Sequence, residues 1–245
     1  MRYFLLVVVL FTLSSLARGQ EPSEVVVSVG KESIRLPTPT GYINAWENYP
    51  NLRTSFEINE TEGNQMLAMY ALLESIPGLD SGKYLGFPRY SRVSVSKRIA
   101  DTDFSDAQFV QFVDSFEKSV KTMFNPANPG TKKVVEDVRE ALRNYLKTDV
   151  SSFDLKNPTY LGTVARNKTA FTCASIMSVA AFGKNIPIYN TTTVLLVKRR
   201  VLFVYFYAKL ESEGDLEAFN AGAQKTADAI IAANPVKELQ LRKSH

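Results

Sequence analysis

Apolar and polar positions alternate in different rhythms along this chain, and each rhythm predicts an element. Between residues 191 and 210 two apolar runs flank Lys198-Arg199-Arg200, the pattern of two antiparallel strands joined by a tight basic turn. In the second run Val201, Phe203, Tyr205 and Tyr207 fall on one face and Leu202, Val204, Phe206 and Ala208 on the other. Neither face is polar, so this hairpin requires cover on both sides and belongs in the middle of a sheet. Upstream, residues 160–166, 169–181 and 186–197 predict further strands, with turns at Asn167-Lys168 and Gly183-Lys184-Asn185. Residues 24–29 and 32–36 predict a first hairpin turning at Gly30-Lys31. The stretch 90–99 alternates Val93 and Val95 with Ser94 and Ser96, a half-exposed strand. Residues 65–74 have the composition of a helix. Their length between Gly63-Asn64 and Pro77-Gly78, and the need of 90–99 for a partner, favour a strand. Residues 42–46 predict a less regular segment with Trp46 as a packing anchor, and 49–53 a short helix or loop.

Helical spacing replaces alternation in three places. Ser105 followed by Gln108 matches a capping box, and Phe109, Phe112, Val113, Phe116 and Val120 then recur on one face. After the turn-rich 125–130 segment, Thr131 predicts the cap of a second helix to about residue 147, with Val134, Val135, Val138, Leu142 and Tyr145 inward. A last helix runs from about Asp215 to Asn234-Pro235, with Leu216, Phe219, Ala223, Ala227 and Ile230 on one face and several small residues that let it lie close to a sheet. The fold class these elements compose is α+β: a mainly antiparallel sheet with helices packed on it, an α/β/α sandwich. Residues 20–236 form a single domain, followed by a basic tail at 237–245.

The first 19 residues change the picture of where the chain works. An apolar stretch from Phe4 to Phe11, continued by Leu13 and Leu16, ends in Ala17-Arg18-Gly19, the pattern of a secretory signal peptide cleaved before Gln20. The run is shorter than the ~20 residues of a spanning helix. The expectation is an exported soluble protein, periplasmic in a Gram-negative bacterium and otherwise extracellular, with no integral membrane segment after cleavage. Cleavage would remove Arg2 and Arg18 and lower the formal net charge from +4 to +2, leaving little argument for a nucleic-acid partner. A single cysteine, Cys173, allows no internal disulfide; set among apolar residues, it reads as a buried small hydrophobe rather than a nucleophile.

Candidate chemistry is sparse. The one histidine, His245, is the last residue, a poor place for a catalytic base or metal ligand, so His-dependent triads and His-based metal sites are not expected. Ser-x-x-Lys occurs at Ser28, Ser94 and Ser115 without the companion elements of penicillin-binding enzymes. Acid groups at Asp101 with Asp103, at Glu211, Glu213 and Asp215, and at Glu57, Glu60 and Glu62 could serve a carboxylate hydrolase, but acids at helix starts such as Asp103 and Asp215 serve as caps more often. No phosphate-binding glycine loop or dinucleotide fingerprint occurs. Basic clusters at 89–92, 97–98 and 198–200 read as charges that protect strand edges, with Lys198, Arg199 and Arg200 as a possible surface contact. Asn59, Asn167 and Asn190 each begin an N-glycosylation sequon, of use only in a eukaryotic host.

Two stretches carry a family resemblance: Ile34-Arg-Leu-Pro-Thr-Pro-Thr-Gly-Tyr42 after the first strands, and residues 194–207 leading into the last helix. With this order of elements the chain resembles the PsbP/Mog1/DcrB group of α/β/α sandwiches, and the helix pair between residues 104 and 147 is an addition to the smallest members. The resemblance implies an accessory or binding factor rather than an enzyme. The expectation is therefore a binding or accessory protein without catalytic residues, cofactor or metal, acting on an unknown protein or small-molecule partner. The alternative is a secreted carboxylate hydrolase that uses neither histidine nor metal.

Overall fold

The computed structural model describes residues 24–58, 60, 62–81, 89–124, 154–181, 184–209 and 214–235. The predicted signal peptide, the predicted helix at 131–147, Asn59 and the 237–245 tail lie outside the described residues. Nine strands are described: β1 (Glu24–Val29), β2 (Glu32–Pro37), β3 (Tyr42–Asn44), β4 (Asn64–Leu72), β5 (Arg89–Ser96), β6 (Asp154–Arg166), β7 (Ala170–Ala181), β8 (Lys184–Val197) and β9 (Arg200–Lys209). With them come helices α1 (Ala45–Asn48), α2 (Pro50–Ile58), α3 (Ile76–Asp80), α4 (Asp106–Met123) and α5 (Gly214–Ala233), and a 3₁₀ turn at Leu73–Ser75.

β1 and β2 form a separate antiparallel ribbon, and the other seven strands form one sheet in the order β3-β4-β5-β9-β8-β7-β6. Every neighbouring pair is antiparallel. The 191–210 hairpin thus sits at the centre, with β9 paired to β5 on one side and to β8 on the other. Both of its faces are covered, as the lack of polar alternation requires. Leu202, Val204, Phe206 and Ala208 pack with Phe219, Ala223, Ala227 and Ile230 of α5 and with Ile34 and Leu36 of the ribbon. Val201 and Phe203 pack instead with Phe109, Val113 and Val120 of α4. The molecule is therefore α+β, a mainly antiparallel sheet with helices on both faces.

Local chemistry explains the ends of these elements. Ser105 caps α4 by accepting from the Gln108 amide, while the Gln108 side chain accepts from the Ser105 amide. Strand β3, where irregular chain was expected, ends because the Asn44 side chain accepts from the amides of Trp46 and Glu47 and so starts α1. Residues 64–72 are a strand despite their helical composition, because β4 is buried along Met66–Ala71 between two covered faces and tertiary packing overrides propensity.

Candidate functional site

Three constellations of polar and aromatic side chains lie at the margins of the two main cores. The first is built around Arg92 on β5. Its guanidinium lies 4.6 Å from the Tyr205 ring and 5.7 Å from the Tyr207 ring, and pairs with Glu60 at 3.1 Å. Tyr90 stacks on Tyr207 with centroids 4.6 Å apart. Burial pushes the hydroxyls of Tyr90 and Tyr205 well above the usual tyrosine range, with the neighbouring Tyr207 adding to it. They stay protonated at any working pH. This cluster places a shielded ion pair and cation–π contacts on the β5–β9 part of the sheet.

The second is a polar seam between α4 and β6. Register shifts in the β6–β7 ladder leave Leu161 and Val164 unpaired, and these two side chains are 51% and 36% exposed. Each inserted residue advances the pattern, so Tyr160, Thr163 and Arg166 all reach α4 at a spacing of three instead of two. Tyr160 and Thr163 donate to Glu117 at 3.4 and 3.1 Å, Lys121 pairs with it at 2.7 Å, and Arg166 reaches both Glu117 and Asp114. The Lys121 ammonium and these hydroxyls hold the Glu117 carboxyl below its usual range, the opposite of what a general acid needs. A depressed folded-state acidity contributes stability above the unfolded carboxylate range that is lost as pH falls through the folded value. Glu117→Gln is accordingly expected to be less stable than the parent at pH 7, and the gap to close on acidification. Denaturant titrations at several pH values check this, and a gap that widens toward acid would contradict it.

The third is a cleft of about 260 Å³ between α5, the 37–41 loop and the ends of the central strands. Its apolar part is Phe206 and Phe219 with Tyr42 and Leu72. Tyr42 meets Phe206 edge-on at 6.1 Å, and Phe206 meets Phe219 edge-on at 6.0 Å. The loop wall is shaped by a turn in which the Tyr42 amide donates to the Pro39 carbonyl at 3.0 Å. Gly41 takes φ +85° at the third position of that turn, the place where a type II turn requires a left-handed residue. On the helix wall, Ala218, Gly222, Thr226 and Ala229 are small, and Gly222 would meet nothing within 4 Å if given a Cβ. Among the described residues, the charged groups of the lining are Arg89, at the start of β5, and Lys225 on α5. Burial pushes the Tyr42 hydroxyl up to about 12, with Arg89 working against the rise.

The residues singled out from the sequence go elsewhere. Lys198 and Arg199 form the hairpin turn with φ of 47° and 66°, the doubly left-handed geometry of a type I′ turn. The turn is tied down: the Lys198 ammonium donates to the Ser33 carbonyl at 2.7 Å, and the Arg199 carbonyl accepts from the Phe104 amide at 2.9 Å. Arg200 is not a surface residue; its side chain is 5% exposed and lies 2.6 Å from Asp103. Asn167 is exposed in the β6–β7 turn, where its carbonyl oxygen accepts from the amides of Thr169 and Ala170. Asn190 lies in the middle of β8, 6% exposed, and donates to the Phe206 carbonyl. A glycan at Asn190 would have to be accommodated in the sheet interior. Cys173 is buried, and burial raises its thiol to about 12, so it stays protonated. The acids named for a hydrolase divide as well. Glu57 pairs with Arg53, Glu60 with Arg92 and Asp103 with Arg200, while Glu211 and Glu213 lie outside the described residues. Among the described residues no three His, Cys, Asp or Glu side chains converge as metal ligands would. No described helix is long and apolar enough to cross a membrane.

No protein-family model matches the sequence, and no curated protein matches it. Solved structures similar to this chain include the Saccharomyces cerevisiae Ran-binding protein Mog1p, 10% identical over 88% of this chain and 96% of that one, with a TM-score of 0.37. A mutant of the protein Mog1 is 13% identical over 86% and 88%, with a TM-score of 0.33. LpqN, involved in cell envelope biogenesis in Mycobacterium tuberculosis, is 11% identical over 88% and 94%, with a TM-score of 0.27. The group that the order of elements resembles is thus found again among solved structures. At these identities and TM-scores the likeness carries no argument about what this chain binds.

Proposed function

We propose that this chain is an exported binding or accessory protein without catalytic activity, and that the cleft beside α5 holds an apolar anchor side chain of a protein partner. The observation that carries this reading is Gly222. A glycine inside a helix costs roughly 0.5–1 kcal/mol relative to alanine. Here the open space beside it lies in the cleft, so the missing side chain keeps the cleft open and relieves no clash. The size of the cleft argues in the same direction. At about 260 Å³ it is smaller than the roughly 300–1,000 Å³ of small-molecule and cofactor sites, and it suits one large apolar side chain of the kind that anchors protein interfaces.

Two variants test the reading. Gly222→Ala is expected to raise stability by about 0.5–1 kcal/mol, because it adds helix propensity without meeting any atom. Gly222→Phe is expected to keep the fold and fill the cleft, abolishing recovery of a cross-linked partner from the native extract. If Gly222→Phe recovers the same partner in the same yield, the cleft is not the binding site.

A further inference from the structure

The β8–β9 turn carries backbone strain, and the fold accounts for only half of it. Lys198 and Arg199 are its two central residues, both at positive φ, where asparagine and glycine sit with little strain. A side chain with a Cβ is strained there, and such positions persist where an interaction offsets the strain. For Lys198 the offset lies inside the molecule, in the 2.7 Å bond from its ammonium to the Ser33 carbonyl. Among the described residues none does as much for Arg199. Its carbonyl accepts from the Phe104 amide, a bond that a glycine would make equally well. Its guanidinium, 60% exposed, stands 3.8 Å from Asp103, and that carboxylate is already held at 2.6 Å by the buried Arg200. An exposed ion pair at such a distance contributes little. The bonds to Ser33 and Phe104 meanwhile fix the backbone that carries this guanidinium before any partner arrives.

The neighbouring charges decide what it would meet. Asp101 lies against the adjoining β1–β2 turn, where a Cβ on Gly30 would come within 2.8 Å of its carboxylate. Asp101 and Asp103 are both exposed, so the tip is no broad cationic field, and a membrane or other polyanion would meet repulsion there too. A single guanidinium suits a single planar anion, which it takes through two parallel hydrogen bonds. We infer that Arg199 is a contact residue for an acidic side chain of a protein partner, received at the β8–β9 tip. This contact is separate from the cleft and does not depend on it. Phe206, in the cleft, lies roughly 20 Å along β9 from Arg200 at about 3.3 Å per strand residue.

The experiment titrates the ¹⁵N-labelled protein with acetylated, amidated Gly-Glu-Glu-Gly and Gly-Gln-Gln-Gly, following the arginine Nε–H signals and the amides of residues 198–200. Inorganic phosphate and vesicles of phosphatidylcholine with phosphatidylglycerol are titrated in parallel. The acidic peptide is expected to move the Arg199 signals and the neutral one to leave them in place. Arg199→Gln and Arg199→Lys are both expected to weaken acidic-peptide binding several-fold, because an ammonium keeps the charge without the paired donors. Arg98→Gln, at an exposed arginine beyond β5, is the control and is expected to change binding little. Arg199 signals that stay in place with the acidic peptide would overturn the inference. So would an equal loss in Arg98→Gln, or tighter binding of phosphate or vesicles than of the peptide, since the tip would then attract anions at large. Arg199→Gly adds an independent measurement. It is expected to raise the denaturant midpoint, because glycine relieves the positive φ, while losing the peptide. A lower midpoint would show that the guanidinium serves the fold, and the inference would fall.

Discussion

Phe206→Ala is expected to destabilise the protein by about 3 kcal/mol, seen as a lower denaturant midpoint at an unchanged m-value. Phe206 is 3% exposed and joins three elements, meeting Tyr42 of the edge strand and Phe219 of α5 edge-on while lying on the central strand itself. Loss of a buried Phe side chain costs about 3–5 kcal/mol, with the spread set by the cavity left behind. Here the cavity would not be dry. Phe206 pairs with Thr191 on one side and Ser91 on the other, and both hydroxyls are buried without a hydrogen-bond partner. A space opened between them and continuous with the cleft is polar enough to take water. The low end of the range follows. Leu202→Ala is the matched control, since Leu202 is fully buried in the same core and makes no contact with the cleft. The two variants are expected to lose similar stability even though Phe206 is the larger side chain. A Phe206→Ala loss well above that of Leu202→Ala would mean a dry cavity.

How much of this was legible in the sequence follows from how local each signal is. The parity of 201–208 predicted that the central hairpin is covered on both faces, because a strand's two faces are written in consecutive residues. The inward face of α5 was equally legible from its 3.6-residue spacing. The seam at β6 was not. Alternation would place Tyr160, Gly162, Val164 and Arg166 together, but the register shifts bring Tyr160, Thr163 and Arg166 to α4, and residue type does not announce a bulge. The cleft was not legible for a different reason. Its walls come from residues 37–42, 72, 89, 206 and 218–229, brought together by the β5–β9 pairing, which skips three intervening strands in sequence. One signal was available: the small residues of the last helix form two stripes. Ala223 and Ala227 face the sheet as expected, whereas Ala218, Gly222 and Ala229 are exposed toward the cleft. Within Lys198-Arg199-Arg200 the sequence does not show which cation is buried: Arg199 is exposed, whereas the approach of Ser33 and Asp103 from distant segments engages Lys198 and buries Arg200.

A second fastening gives the other large expected effect. Asn234→Ala is expected to cost about 2–3 kcal/mol and to lower recovery of the cross-linked partner several-fold, although Asn234 is not among the described residues that line the cleft. The Asn234 amide, 3% exposed, behaves as one more strand residue beside β2. Its oxygen accepts from the Arg35 amide at 2.8 Å, and its nitrogen donates to the Arg35 carbonyl at 2.6 Å and the Ile230 carbonyl at 2.8 Å. Each such bond contributes about 0.5–1.5 kcal/mol net, and the Arg35 side of the ribbon is open enough for water to replace part of what is lost. Asn234→Asp discriminates pairing from packing. It keeps the shape and the acceptor, but a carboxylate cannot donate to either carbonyl, so it is expected to lose at least as much as alanine. Faster exchange of the Arg35 amide would locate the loss at this joint. The effect on binding follows from connectivity, because β2 runs directly into the 37–41 loop that walls the cleft, and the end of α5 is what holds β2 in place. If Asn234→Ala loses stability but recovers the cross-linked partner as the parent does, the loop is positioned by its own Pro39–Tyr42 turn, and the helix anchor serves the fold alone.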